Sequence, residues 1–349
     1  MTTVYLIRHA QADGNLYRRC QGWYNSHITT KGYRQIKALE NRFRSIHVDA
    51  AYSSDLFRTM TTAQAICRPK GLTLHTDPRL REIHAGQWED KPWGELLEQD
   101  RDSLLAFWRC DHLWQTEDSE TFPGVRARVS KAVEEIAAAH PGQTVAVFAH
   151  GTAIRCALSR WLEIPEDEIN TVEHSDNTAV AKVEFDSSKR HVCWFNDASH
   201  LSSELAMPVH APAVSDAIAA SIADSSLYFR PIADLTASAV YSAFAAEGYR
   251  AEGPGLEVLR TGKAVGLFQD RPGAVSVFYL LPEFRGRSFG VQLLGQAVSE
   301  GRAAGKATLT LPCPDSAAAR SYWAQFGLSP APDRGELLTM SIDDTLHLL

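Results

Sequence analysis

The 349-residue chain has no apolar run near the ~18 residues that a membrane-spanning helix needs. Its six cysteines (Cys20, Cys67, Cys110, Cys156, Cys193, Cys313) are scattered and form no C-x-x-C pair, so they are read as reduced thiols. No Asp/His cluster has metal-ligand spacing. A basic half is missing too. The 35 Lys and Arg face 42 Asp and Glu, with 24 against 27 before residue 201 and 11 against 15 after it. A net charge of −7 spread this way argues against nucleic acid as a partner on electrostatic grounds, and none is expected. The opening Met1–His9 is too short and too soon charged for a signal peptide, so a cytoplasmic protein is expected, with no membrane partner. There is no internal repeat and no low-complexity tract.

What is present is ordinary globular material: 44% hydrophobic and 22% charged residues, enough for two cores. The length fits two domains. Eleven of 13 histidines and seven of eight tryptophans precede residue 201. From Ser199 to Ser226 there is no Lys, Arg, Phe, Tyr or Trp, and Pro208 and Pro212 fall inside that stretch. The division is therefore placed at 1–200, a connection over 201–225 with a short helix at Ser215–Ala223, and a second domain over 226–349.

The first part alternates strand and helix signals. Val4–Ile7 and Thr144–Ala149 are apolar strands, and Ala50–Ser54 reads as another strand end. Thr29–Phe43, Leu56–Cys67, Val125–Ala139 and Thr152–Leu162 carry helical patterns. This predicts a mostly parallel sheet with helices on both faces, its strand ends facing a ligand crevice. Two strands end in histidine, at Arg8-His9 and Ala149-His150, with no apolar reason for either. Arg58 follows Ser53-Ser54-Asp55, and Glu82 lies in Leu80-Arg81-Glu82. Arg8 pairing with an acid across the sheet edge, and Arg58 pairing with Asp55, are the plainer alternatives.

These residues resemble the histidine phosphatase, or phosphoglycerate mutase-like, superfamily. The motifs are Leu6-Ile7-Arg8-His9, Ser53 to Thr59, Leu80 to Glu89, and Ala149-His150-Gly151. Gln21-Gly22 and Ser175-Asp176-Asn177-Thr178 also fit. The resemblance covers 1–200 and implies a three-layer αβα fold. A neutral imidazole avoids the repulsion that an anion meets at a doubly charged phosphate, so His9 suits the nucleophile, forming a phosphohistidine without metal. Arg8 and Arg58 clamp the phosphoryl oxygens, and His150, if protonated, adds a donor. The resemblance implies phosphate contact by Asn15 and substrate contact near Gln21 and Gly22. Glu82 is the candidate general acid, with Glu89 and Asp90 as rivals. A small-molecule phosphomonoester is the expected substrate. The compact Glu82–Glu120 segment favours hydrolysis over mutase chemistry, and a phosphoester-binding regulatory module is the non-enzymatic alternative. Trp88, Trp93, Trp108 and Trp114 either cap the mouth or pack between helices.

After the connection, Leu227–Pro231, Ala264–Phe268 and Ala274–Leu280 read as strands and Ala233–Glu247 as helix. A strand end, a glycine-containing loop and a helix start follow, over Leu281–Leu294. This part resembles the GNAT acetyl-CoA-dependent N-acetyltransferases, through Pro282 to Gly290 and through Tyr322-x-x-x-Phe326-Gly327. Ser288 replaces the middle glycine of the family pattern. The resemblance implies an α+β domain in which Arg285, Gly286, Arg287, Ser288, Phe289 and Gly290 hold the pyrophosphate of acetyl-CoA. Leu280 ends the strand along the pantetheine arm, Tyr322 protonates the thiolate, and an amine is the acceptor. A degenerate CoA-binding or structural domain is the alternative.

Overall fold

The computed structural model describes residues 1–186, 189–206, 215–271 and 273–343. Pro208, Pro212 and the last six positions of the expected second domain lie outside the described residues. The strands of the first half are Thr2–Arg8 (β1), Ala50–Ser53 (β2), Leu74–Thr76 (β3), Thr144–Ala149 (β4), Val180–Phe185 (β5) and Arg190–Asp197 (β6). Its helices are Asp13–Tyr17 (α1), Thr30–Phe43 (α2), Phe57–Lys70 (α3), Trp93–Gln99 (α4), Arg101–Trp108 (α5), Phe122–Ala139 (α6) and Gly151–Trp161 (α7). Ser215–Ser225 (α8) connects to the second half.

The sheet order is β3-β2-β4-β1-β5-β6. The first four are parallel, and β5 and β6 run antiparallel. Strand β4 is buried from Val145 to Ala149, as a strand covered on both faces must be. Its side chains alternate between two cores. Val145 and Val147 join Val125, Val129 and Ile154 from α6 and α7, while Ala146 and Phe148 join Leu39, Phe43 and Ile66 from α2 and α3. That alternation makes the three layers. The helix starts are written locally: the Thr29 hydroxyl accepts from the Gly32 amide at 3.0 Å, and Thr121 does the same for Gly124 at 3.3 Å. Parallel pairing of β1 with β4 sets Arg8 opposite Ala149. His9 and His150 therefore leave the same sheet edge side by side.

The second sheet contains Tyr228–Ile232 (β7), Gly255–Arg260 (β8), Lys263–Arg271 (β9), Ala274–Leu280 (β10), Thr308–Pro312 (β11), Ser329–Ala331 (β12) and Arg334–Ser341 (β13), in the order β12-β13-β11-β10-β9-β8-β7. Tyr241–Ala246 (α9), Gly290–Ala303 (α10) and Ala317–Ala324 (α11) pack on it. Strands β10 and β11 are parallel and are registered at Ala274–Thr310 only, whereas the other neighbours are antiparallel ladders. Helix α10 links these two strands and buries Val291, Leu293, Leu294, Ala297 and Val298 on the sheet.

Two expectations need correction. The Ala233–Glu247 helix is a short 3-10 turn at Leu235–Ala237 followed by α9. The Asp234 carboxylate accepts from Thr236 and Gly253 amides, and Ser238 is extended with its hydroxyl on Glu257, so the chain is drawn out of the helix. The connecting helix, expected only as a link between the domains, also packs into the first core. Ala219 and Ile222 of α8 are each 3% exposed within the first core, beside α4 and α5. Conversely, Tyr17 of α1 is buried in the core of the second sheet.

Candidate active site

His9 and His150 stand with ring centroids 5.3 Å apart at the ends of β1 and β4, and both are essentially buried. The Nδ1 of His9 lies 2.7 Å from the Ala10 carbonyl. A carbonyl only accepts, so Nδ1 carries the proton and Nε2 keeps its lone pair. Burial first, then Arg58 and Arg8, push the His9 imidazole well below its ordinary range, so it is neutral near pH 7. The His9 carbonyl is in turn held by Asn177 Nδ2 at 2.9 Å.

Arg58 sits in the first turn of α3 and is fully buried. Its Nε donates to His150 Nδ1 at 3.2 Å, Nη1 to the Tyr24 carbonyl at 2.9 Å, and Nη2 to the Gln21 and Gly22 carbonyls at 3.3 and 2.6 Å. It does not pair with Asp55, which binds Arg81 instead at 2.6 and 2.5 Å. Arg8 donates through Nη1 to the Ser175 carbonyl, and its buried Nε has no hydrogen-bond partner. Burial lowers both guanidinium groups to about 10, which leaves them charged at neutral pH. No side chain fits at Gly151: a Cβ there would lie 2.7 Å from His174 Nε2 and 3.3 Å from Arg8 Nε.

His150 differs from the expectation of a protonated donor. Its Nδ1 accepts from Arg58, and its Nε2 meets Ser54 Oγ at 2.7 Å. Burial and the Arg58 charge hold it well below the ordinary histidine range. It is neutral in this arrangement: Nδ1 accepts from Arg58, so Nε2 carries the proton and donates to Ser54 Oγ.

Glu82, in the loop after Leu80, sets its carboxylate against the first amides of α7. Its carboxylate accepts from Ile83, Ala153 and Thr152 amides at 3.0, 2.9 and 3.1 Å. Desolvation of the carboxyl outweighs those bonds and the pull of Arg58, so its pKa is raised. The rivals are occupied elsewhere. Glu89 accepts from Gly22, Trp23, Tyr24 and Ala85 amides at 3.1, 2.7, 2.8 and 3.0 Å, and Asp90 binds Arg19 at 2.8 Å. Gln21 and Gly22 thus hold Arg58 by their carbonyls, and Glu89 holds their loop. Asn15 Oδ1 accepts from the Ala12 amide at 3.1 Å and lies 3.5 Å from Asn177 Nδ2, which leaves its amide nitrogen as the remaining donor. Trp88 and Trp114 are core residues packed with Phe107 and Phe122, so these rings fill the helical cap and do not line a mouth.

Reasoning from sequence assigned no role to Ser54 and weighed Glu89 only as a rival acid, not as the anchor of the Gln21–Tyr24 loop. Both stood inside the quoted motifs, but nothing in spacing tells which polar atom a buried carboxylate or hydroxyl will meet. A buried and a half-buried guanidinium group, a neutral imidazole with a free Nε2 and a protonatable carboxyl make a receptor for a dianion that can also attack it and supply a proton.

In the second half, Arg285 turns away from the loop it belongs to. Its Nη2 binds Glu247 at 2.8 and 2.9 Å, and its Nε binds the Leu280 carbonyl at 2.8 Å. Gly286 takes φ +71° and Ser288 φ +63°, with Phe289 buried at the head of α10. Tyr322 is half-buried between Trp323 and Phe326, with ring centroids 5.2 and 5.1 Å away. Among the described residues no helix is long and apolar enough to cross a membrane.

Comparison with known proteins falls on the first half. The model of the histidine phosphatase superfamily (branch 1) matches residues 4–198. A probable phosphoglycerate mutase GpmB of Yersinia pestis is 34% identical over 170 residues, 47% of this chain and 77% of that protein. Bacillus stearothermophilus YhfR superposes with a TM-score of 0.56 at 32% identity, covering 57% of this chain and 99% of that one. A mycobacterial glucosyl-3-phosphoglycerate phosphatase in complex with VO3 gives a TM-score of 0.53 at 26% identity, covering 56% of this chain and 99% of that one. The chain belongs to the histidine phosphatase superfamily (branch 1), an enzyme family of phosphatase and mutase type.

Proposed function

We propose that the first half hydrolyses a small-molecule phosphomonoester through a phosphohistidine at His9. The observation that carries this is the His9 tautomer: Nδ1–H is spent on Ala10, so the lone pair of Nε2 is the one left to attack phosphorus. As the new N–P bond forms, the P–O bond to the alcohol breaks, and Glu82 delivers the proton to the departing oxygen. The carboxylate then takes a proton from water, which attacks phosphorus and frees His9 and inorganic phosphate. Arg8 and Arg58 face the charge of the transferring group throughout. A bound dianion raises the proton affinity of His150, and its Nδ1 becomes a donor as Arg58 Nε turns from it to the phosphoryl oxygens.

Brief exposure of the protein to a ³²P-labelled phosphoester, followed by denaturation, is expected to leave acid-labile, alkali-stable label. His9→Ala should carry none and should lose turnover of 4-nitrophenyl phosphate by at least ~10³-fold. Turnover that survives His9→Ala unchanged would sink the reading. The likeness to a probable phosphoglycerate mutase favours a second reading, phosphoryl transfer to another hydroxyl. Product analysis separates the two, because a mutase releases isomerised phosphoester and a hydrolase releases phosphate.

For the second half the proposal is an acetyl-CoA-dependent N-acetyltransferase acting on an amine. The single registered pair between parallel β10 and β11, the open turn at Gly286 and the 14-residue α10 support it. The first amides of α10 have no acceptor within the helix and suit a pyrophosphate. Arg285 does not fit that role, being bound to Glu247, so Arg287 and the amides of Ser288, Phe289 and Gly290 are the donors assigned. Acetyl-CoA supplies an activated thioester. Burial raises the Tyr322 phenol above its ordinary range, which keeps its proton available for the thiolate. Titration calorimetry of the full chain with acetyl-CoA should show saturable heat. Its absence at millimolar ligand would leave a structural domain.

A further inference from the structure

One face of α10 lies on the first half of the chain, and each contact falls beside a residue of the phosphate site. Gly295 meets Tyr17 so closely that a Cβ at 295 would lie 2.4 Å from the Tyr17 Cβ. Gln296 and Ser299 take the Nη groups of Arg19 at 2.9 and 3.0 Å. The Ser299 hydroxyl also donates to Asp90. Arg302 closes the row. Its Nη1 reaches Asp13 Oδ2 at 3.1 Å and the Tyr24 hydroxyl at 3.5 Å, while its Nε donates to the Ile342 carbonyl at 3.1 Å. The Arg302–Asp13 pair is enclosed, with side-chain exposures of 10% and 13%.

The residues touched are next in line to the chemistry. Asp13 opens α1, two positions before Asn15, and its carboxylate also accepts from the His27 amide at 3.3 Å. Tyr24 gives its carbonyl to Arg58 and its amide to Glu89. Asp90 follows Glu89 in the chain. Between β1 and α2 the only ladder pairs among the described residues are the isolated bridges Ala12–Ile28 and Arg19–Pro92. A segment so thinly paired needs side chains to fix it, and an enclosed ion pair fixes geometry well because misplacing either charge leaves the other uncompensated.

We propose that Arg302 is a positioning residue of the phosphatase site, supplied by the other half of the chain: through Asp13 and Tyr24 it holds Asn15 and the Gln21–Tyr24 loop in place around Arg58. The second half thus completes the phosphate cradle whatever else it binds. The proposal rests on the phosphatase reading above.

The test uses the full-length protein. Arg302→Met should raise KM for 4-nitrophenyl phosphate and weaken inhibition by orthovanadate about ten- to a hundredfold, with a smaller change in kcat. Arg302→Lys, which keeps the charge, should recover part of both. Val277→Ala opens a cavity beside Phe244 and Leu267, in the cluster of the second sheet that holds no residue of the first half. It should lower the unfolding temperature and leave KM and orthovanadate inhibition as they were. Arg302→Met with wild-type KM and orthovanadate inhibition overturns the proposal, and so does an equal KM rise in Val277→Ala. If the wild-type protein itself neither hydrolyses the ester nor binds orthovanadate, the phosphatase reading falls and takes this inference with it.

Discussion

The molecule builds two strand-loop-helix junctions from similar parts, and it finishes them differently. At the first, His150 precedes Gly151 and α7, next to His9 at the end of β1. His9 is 2% exposed, and His150 and Arg58 are fully buried, each polar atom of the two histidines' neighbour Arg58 tied to a backbone carbonyl or an imidazole. At the second, Arg285, Gly286, Arg287 and Ser288 lie exposed ahead of α10, and the one long cation that packs does so against Glu247. Bond-making at phosphorus needs donors fixed before the charge develops, and burial is how the first junction fixes them. A junction that only holds a ligand through backbone amides has no such requirement, since the amides are placed by the helix itself.

The largest effect that sharpens this contrast is at Glu82. Glu82→Gln should slow single-turnover phosphoenzyme formation from alkyl phosphates about 10²- to 10⁴-fold and from 4-nitrophenyl phosphate far less, because an aryl oxide leaves without a proton. Its raised pKa also gives the sign of the pH profile. The acid must be protonated, so phosphoenzyme formation from an alkyl ester falls as pH rises through the raised carboxyl pKa, while formation from an aryl ester does not. Equal losses on both ester classes would remove Glu82 from the proton-donor role.

Next in size is Glu89, which holds four backbone amides. Glu89→Ala strands those donors and loosens the carbonyls that orient Arg58, and kcat/KM should drop about ten- to a hundredfold. Asp55→Ala is the matched comparison, since Asp55 binds Arg81 and not Arg58. Steady-state kinetics should show only a few-fold change for it. A larger loss in Asp55→Ala than in Glu89→Ala would contradict the assignment of Arg58's support.

The third effect is on stability. His9 and His150 are held well below 6.5, and burial with the Arg42 charge lowers His200 to about 4. Folded pKa values below the unfolded one mean that the unfolded chain takes the proton first. Stability is therefore full above about pH 6.5 and declines as pH falls below it, by about 1.4 kcal/mol per pH unit for each group. The second sheet contributes no histidine among the described residues, as His210 and His347 lie outside them. Acid unfolding followed by tryptophan fluorescence and far-UV dichroism should thus start in the first half, and His150→Asn should flatten the slope.

The architecture of the first half could be read from local signals because each one acts over a few residues. Thr29 and Thr121 cap α2 and α6, apolar runs bounded by polar residues make β1 and β4, and parallel pairing then brings His9 to His150. Signals that depend on distant partners were invisible. Ala233–Glu247 has a helical composition that Asp234 and Ser238 override through Gly253 and Glu257. The polarity of His150 follows from Arg58 and Ser54, which no spacing reveals. Arg302 meets Asp13 across 289 positions of sequence, and a lone arginine in a helix carries no mark of that.

The smallest effect tests the second junction directly. Ser288 holds φ +63° with a side chain that this region disfavours, by roughly 1 kcal/mol against glycine. Glycine loses that strain but makes the unfolded chain more flexible, so Ser288→Gly should raise the unfolding temperature by only about 1–2 °C. Its effect on ligand should exceed its effect on stability. Removing the Cβ clears the backbone where a pyrophosphate approaches, and acetyl-CoA should bind a few-fold more tightly by calorimetry while KM for the phosphoester stays put, because the α10 face that reaches Asp13 begins at Gly295. Unchanged acetyl-CoA affinity, with the small thermal gain intact, would show that the turn at Ser288 is a helix start and nothing more.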